Sequence, residues 1–158
     1  MRPMFPAEFD RLRDRLIVEY AAEHVKAGNW TANEAQEKST KAIEDLLPQG
    51  LETPGVLLNI AENSEGVSVG HLWVALERQP GVGGGAWIYD IEVTENQRGK
   101  GYGQGLLRLA EEEVARHGIP TIGLNVFGKN KVARKLYESA GYEPVQIYMK
   151  KEIKPSES

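Results

Sequence analysis

Arg98-Gly99-Lys100-Gly101-Tyr102-Gly103 stands between two runs of opposite character. Before it, Trp87-Ile88-Tyr89-Asp90-Ile91-Glu92-Val93 is rich in β-branched and aromatic residues and reads as a strand. After it, Leu106, Leu107, Ala110 and Val114 fall on one face at helical spacing. A strand, a glycine-rich turn and a helix start together favour an anion. The first helical turn leaves N–H groups unpaired, and the helix dipole adds partial positive charge. The glycines let the backbone approach closely, and Arg98 and Lys100 add full charges. The loop is not a Walker loop, which needs Gly-x-x-x-x-Gly-Lys-Ser/Thr. It is not a dinucleotide fingerprint either: counted from Gly99 the last position is Gln104, and from Gly101 it is Leu106. What remains is Arg-x-x-Gly-x-Gly, which points to a phosphate-bearing ligand. Taken alone, the hexapeptide reads equally as a surface turn before a helix.

A second segment narrows the choice. Thr121–Phe127 reads as a strand, Gly128-Lys129-Asn130 as a turn, and Lys131–Ala140 as a helix with Val132, Ala133, Leu136 and Ala140 on its buried side. Gly141 suits a left-handed cap, and Tyr142–Ile153 reads as a last strand. Arg98–Gly103 resembles the pyrophosphate loop of the GCN5-related N-acetyltransferases (GNAT). Asn130, Ala133, Leu136-Tyr137 and Gly141-Tyr142 resemble that family's second signature, in the right order and on the expected elements. The resemblance covers residues 68–150. Residues 20–58, with Ala27-Gly28-Asn29-Trp30 and the loop Leu46–Pro54, resemble a bacterial subgroup of unassigned substrate.

Outward from these motifs, Arg2–Met4 reads as a short strand, and Phe9–Ala27 as a helix with Leu12, Leu16, Tyr20 and Val25 buried. Thr31 and Glu34 form a capping-box pattern before a helix over Ala32–Leu47. Pro48–Gly55 reads as a loop, Val56–Ala61 and Val67–Glu77 as antiparallel strands, Gln79–Gly85 as a glycine-rich connection, Ala86–Val93 as a strand, and Gly103–His117 as a helix. Hairpins followed by alternating strands and helices make an α/β chain with a mixed sheet. The resemblance implies the same: a central, mostly antiparallel mixed sheet with helices on both faces. Its fourth and fifth strands would splay apart to form the cofactor cleft. One domain is expected over residues 1–154, with a polar tail at 155–158.

The chain has 158 residues, a formal net charge of −4 and no cysteine. It is long enough for one substantial core. The absence of cysteine excludes disulfides, a thiolate nucleophile and zinc–thiolate sites. His24, His71 and His117 show no metal-ligand spacing, so no metal is expected. The charge argues against nucleic acid as partner. No run is long enough to span a membrane and the N-terminus is not signal-like, which fits a cytoplasmic protein.

The resemblance implies acetyl-CoA as cofactor, held by Arg98, Gly99, Lys100, Gly101, Tyr102, Gly103, Asn130 and Ala133 and by the backbone of Ile91 and Val93. A main-chain N–H near Ile91 would face the thioester oxygen, as in an oxyanion hole. Read alone, Ile91 and Val93 are core hydrophobes, and Asn130 is an N-cap for the last helix. Tyr137 is the family's general acid by position. A phenol, ordinarily near ~10, can protonate a thiolate whose conjugate acid lies near ~8.5. Its plain alternative is a buried aromatic. Some family members place a glutamate base on the fifth strand, where this chain has Asn125. The base is then open between Glu92 and Asp90, with Glu92 ahead. Both would point to one face of their strand, where a salt bridge is the alternative. Trp30 and Trp73 either line a substrate pocket or belong to the core. With no cysteine for an acyl-enzyme, the expected reaction is direct attack by a primary amine in a ternary complex. The acceptor would be a small molecule or a protein amine. A non-catalytic CoA-binding sensor and a nucleotide-binding module are the rival readings. Members of the family often dimerise, but no residue here fixes an interface.

Overall fold

The computed structural model describes residues 1–77 and 84–157. Most of the expected connection Gln79–Gly85 lies outside the described residues. Residues 1–125 form one compact unit and residues 126–158 a second.

The first unit is built on a sheet of five strands in sequence order: β1 (Arg2–Pro3), β2 (Val56–Glu62), β3 (Ser68–Ala75), β4 (Ala86–Val93) and β5 (Ile122–Leu124). The β1–β2, β2–β3 and β3–β4 pairs are antiparallel and β4–β5 is parallel, so the sheet is mixed and mostly antiparallel. Side chains alternate across it. On one face Leu58, Ile60 and Trp73 pack with Met4, with Phe9, Leu12 and Ile43 of the first two helices, and with Leu47 just after the second. These helices are α1 (Pro6–Lys26) and α2 (Ala32–Leu46). On the other face Leu72, Val74 and Ile88 are buried beside α3 (Tyr102–Arg116), whose Leu106, Leu107, Ala110 and Val114 form its apolar stripe. At Gly70 the helix lies close to the sheet: a Cβ there would meet Leu106 Cδ1 at 2.9 Å.

Local chemistry sets the boundaries. α1 starts earlier than the hydrophobic pattern indicates because Pro6 suits the first turn and Glu8 accepts the Phe5 N–H at 2.8 Å. Glu34 likewise accepts the Thr31 N–H at 3.0 Å, as the capping-box pattern predicts. Of the expected α1 core residues, Leu12 is buried and Leu16 partly so, but Val25 is exposed. β4 has the expected limits, whereas β5 is shorter than Thr121–Phe127.

The fourth and fifth strands part as the fold class requires. Their ladder runs Ala86↔Ile122, Trp87↔Gly123, Ile88↔Leu124 and stops, while β4 continues to Val93. At the same level the β3–β4 register shifts: Trp73 pairs with Asp90 and Val74 with Ile88, leaving Tyr89 as a bulge. A bulge bends a strand and increases its twist.

In the second unit α4 (Lys131–Ser139) has a defined start and stop. The Asn130 Oδ1 accepts the Ala133 N–H at 3.2 Å. At the far end Gly141 takes φ 96°, its N–H donates to Glu138 O, and the Tyr142 N–H donates to Tyr137 O at 3.0 Å. This is a Schellman ending, completed by the contact of the Tyr137 and Tyr142 rings, 6.0 Å between centroids. The expected last strand, Tyr142–Ile153, is not formed; no strand follows Leu124 among the described residues. Its apolar composition gives β propensity, but a strand exists only through a ladder, and Pro144 removes one donor.

Candidate active site

The loop after β4 turns through a 3-10 segment, Glu95–Gln97, and then through two left-handed glycines, Gly99 (φ 76°) and Gly101 (φ 82°), into α3. Only glycine adopts such angles without strain. α1, α2 and α4 have side chains that satisfy N–H groups at their starts. Gly101 offers none to α3. The first-turn N–H groups of α3, from Tyr102 onward, therefore face outward without a capping partner among the described residues. Arg98 Nε donates to Val93 O at 3.2 Å, and Lys100 Nζ to Gln97 Oε1 at 3.2 Å, so both cations are held at the loop.

Beside the loop, β4 runs on past the end of its ladder with β5. The Thr94 N–H donates to Val69 O at 2.9 Å. An antiparallel ladder alternates, so Glu92 and Asp90 turn their peptide groups toward β3 while Ile91 and Val93 turn theirs away. Those groups point to the side on which β4 pairs with β5 lower down. Ile91 pairs with Leu72 on the α3 face, so its half-buried side chain points there while its peptide groups turn away from β3.

The opposite face of the same strand carries charge. His71 pairs across the ladder with Glu92, and Trp73 with Asp90. His71 Nε2 lies 2.5 Å from Asp90 Oδ2. Glu92 is paired twice, with Arg15 of α1 at 3.2 Å and Arg98 at 3.6 Å. Arg15 also reaches Asp90 at 3.9 Å and Glu19 at 3.6 Å. Burial, reinforced by the negative charges of Glu92 and Asp90, holds the Glu19 carboxyl above the usual carboxylate range despite Arg15. Donor atoms of His71, Asp90 and Glu92 lie within 4.8 Å of one another. The sequence spacing of the histidines did not reveal this grouping. The two arginines neutralise its carboxylates, so it is an ion-pair network rather than a set of bare cation ligands.

The sequence-predicted residues thus divide by unit. Asp90, Glu92, Ile91, Val93 and Arg98 through Gly103 are brought together in the first; Asn130, Ala133 and Tyr137 share α4 in the second. Asn130 is the N-cap of α4. Trp73 is core, 3% exposed and stacked on Tyr89 at 4.8 Å. Trp30 stacks on His24 at 4.0 Å. Sequence reading missed Arg15 and the pairing of His71 with Asp90. The signal for the second was present: once β3 and β4 are aligned as a hairpin, His71 falls opposite Glu92. Arg15 meets the site only through the packing of α1 across the sheet.

Comparison with known proteins agrees with this architecture. The model of the Acetyltransferase (GNAT) family matches residues 14–142. The chain is 37% identical over 153 residues to the uncharacterized N-acetyltransferase YycN of Bacillus subtilis (strain 168), covering 97% of both chains. The crystal structure of YycN superposes with a TM-score of 0.83 over 98% of each chain. A second B. subtilis protein, the uncharacterized N-acetyltransferase YdgE, is 31% identical over 97% of both chains. A Pyrococcus furiosus structure described as an acetyltransferase is 31% identical and covers 88% of this chain and 95% of its own, with a TM-score of 0.60. The uncapped helix, the parted strands and these relatives lead to one conclusion: the chain belongs to the GNAT family and is an acetyltransferase, in a family whose usual acetyl donor is acetyl-CoA.

Proposed function

We propose that this enzyme moves the acetyl group of acetyl-CoA to a primary amine by direct attack in a ternary complex, with residues 1–154 working as one domain. The observation that carries the reading is the adjacency of two backbone surfaces suited to a ligand. One is the uncapped start of α3 behind Gly99 and Gly101; the other is the outward backbone of Ile91 and Val93. The first suits a diphosphate, with Arg98, Lys100 and the N–H groups of Tyr102 and Gly103 as donors. The second suits an extended amide-bearing arm that adds to β4 as a strand would. An N–H of β4 near Ile91 would then face the thioester oxygen and stabilise the charge that develops on it.

Asn130 and Ala133 extend the cofactor contacts, and Tyr137 protonates the departing thiolate. Asp90 and Glu92 lie on the acceptor side of β4, and the amine's proton leaves through this group of side chains. The chain has no cysteine, so the acetyl group passes to the amine without a thioester on the enzyme.

The test is calorimetric titration with acetyl-CoA, with CoA, ATP and NAD as controls. The expected result is micromolar binding of acetyl-CoA and CoA, with ATP and NAD much weaker. Preference for ATP or NAD would contradict the reading of the Arg98–Gly103 loop.

A further inference from the structure

We propose that His71 is the group that takes the proton from the attacking amine, and that Asp90 is the positioning residue that orients its ring. The proposal rests on the acetyl-to-amine reading above and assigns the proton acceptor which that reading leaves among several side chains.

The three polar side chains of the β3–β4 face are not equivalent. Glu92 is occupied by two cations, Arg15 and Arg98. Asp90 Oδ2 is occupied by His71 Nε2 at 2.5 Å. His71 Nδ1 has no hydrogen bond among the described residues. With the Nε2 proton donated to Asp90, the ring's lone pair lies on Nδ1. The pair is sheltered yet reachable, with side-chain exposures of 15% for His71 and 21% for Asp90. It also lies at the right level of the sheet. Asp90 and Glu92, the cross-strand neighbours of the histidine, follow the Tyr89 bulge on the stretch of β4 that β5 no longer pairs. An imidazole gains and loses a proton near neutral pH, whereas a carboxylate already held by arginines is a poor acceptor.

The charged groups around the ring come from every element packed there. α1 brings Arg15 and Glu19, β4 brings Asp90 and Glu92, and the loop after β4 brings Arg98. β2 offers only the apolar Ile60 opposite His71.

The step balances. The alkylammonium gives one proton to His71 Nδ1. The neutral amine forms the C–N bond, and the C–S bond breaks. The second amine proton, shed as the amide forms, balances the proton that Tyr137 gives to the thiolate. His71 returns its proton to solvent.

Two measurements on the full chain test this. Long-range proton–nitrogen NMR identifies the His71 tautomer without any acceptor, the signal being assigned by its loss in His71→Gln. The expected neutral form carries its proton on Nε2; an Nδ1–H tautomer would overturn the proposal. The second is the pH dependence of kcat/KM, followed by release of CoA thiol with spermidine, an aminoglycoside and a lysine peptide as acceptors. His71→Gln should lower kcat about 100-fold and abolish the acid limb while leaving acetyl-CoA affinity unchanged. Asp90→Asn should move that limb to lower pH, which a merely structural role would not do. An acid limb retained by His71→Gln sinks the dyad and leaves the transfer reading standing. A wild-type chain that binds no acetyl-CoA sinks both.

Discussion

Glu8 shows how one residue joins a helix start to the sheet. Its carboxylate accepts both Arg2 terminal nitrogens, at 2.7 and 2.9 Å, and the Phe5 N–H. Arg2 in turn pairs with Glu62 of β2 at 2.7 Å. The Arg2 hydrogen bonds hold the Glu8 carboxyl below its ordinary value of 4.5, outweighing burial, which raises it, with the Phe5 N–H lowering it further. A carboxylate lowered in the folded state stabilises the fold above its unfolded pKa and loses that contribution as pH falls through the folded value. The melting temperature should therefore drop as pH is taken below about 4.5, and it should drop less steeply in Glu8→Gln. A thermal-melt series across that window checks it. Tyr137 carries a prediction of another kind. Its ring packs on Tyr142 within the Schellman ending, so part of its presence in the motif is structural. Tyr137→Phe keeps that packing and removes only the hydroxyl. We expect kcat to fall about 100-fold with the acetyl-CoA dissociation constant within about twofold of wild type. Unchanged turnover would take Tyr137 out of the mechanism.

Among elements, β4 was legible to the residue because its β-branched run is bounded by glycines on one side and by Thr94-Glu95-Asn96 on the other. The cap of α2 was legible through Thr31 and Glu34, and the end of α4 through Gly141. What sequence could not give were features that depend on a partner. The Tyr89 bulge appears only against β3, and the ion pairs of Glu92 only when α1 crosses the sheet. Tyr142–Ile153 shows the converse: its composition favours a strand, but it has no ladder. Element-level strain gives a test of the cofactor loop. Gly101 sits at φ 82° with open space where a Cβ would go, so a side chain there meets backbone strain and no clash. Gly101→Ala should cost about 1 kcal/mol of stability. It should also weaken acetyl-CoA binding by distorting the α3 N-terminus. Calorimetry beside a chemical denaturation curve separates the two effects; unaltered affinity would place the diphosphate elsewhere.

At the scale of the whole molecule, family and fold class were readable because two separated signatures agreed, each on the element its chemistry needs. The acceptor was not readable. The segments expected to choose it, namely α1, α2, the Pro48–Pro54 loop, the strand residues His71-Leu72-Trp73 and the Gln79–Gly85 connection, carry no motif that names an amine. The structure adds a charged wall made by Arg15, Glu19, His71, Asp90, Glu92 and Arg98. No helix among the described residues is long and apolar enough to cross a membrane. The central claim is that the enzyme joins acetyl-CoA and a primary amine in one step. The most direct measurement is the release of CoA thiol from acetyl-CoA as a function of amine concentration, with the product identified by mass spectrometry. The account predicts thiol release that saturates with amine and an N-acetylated product in equal amount. Binding of acetyl-CoA with no amine-dependent release would contradict it and would favour a protein that senses the cofactor instead.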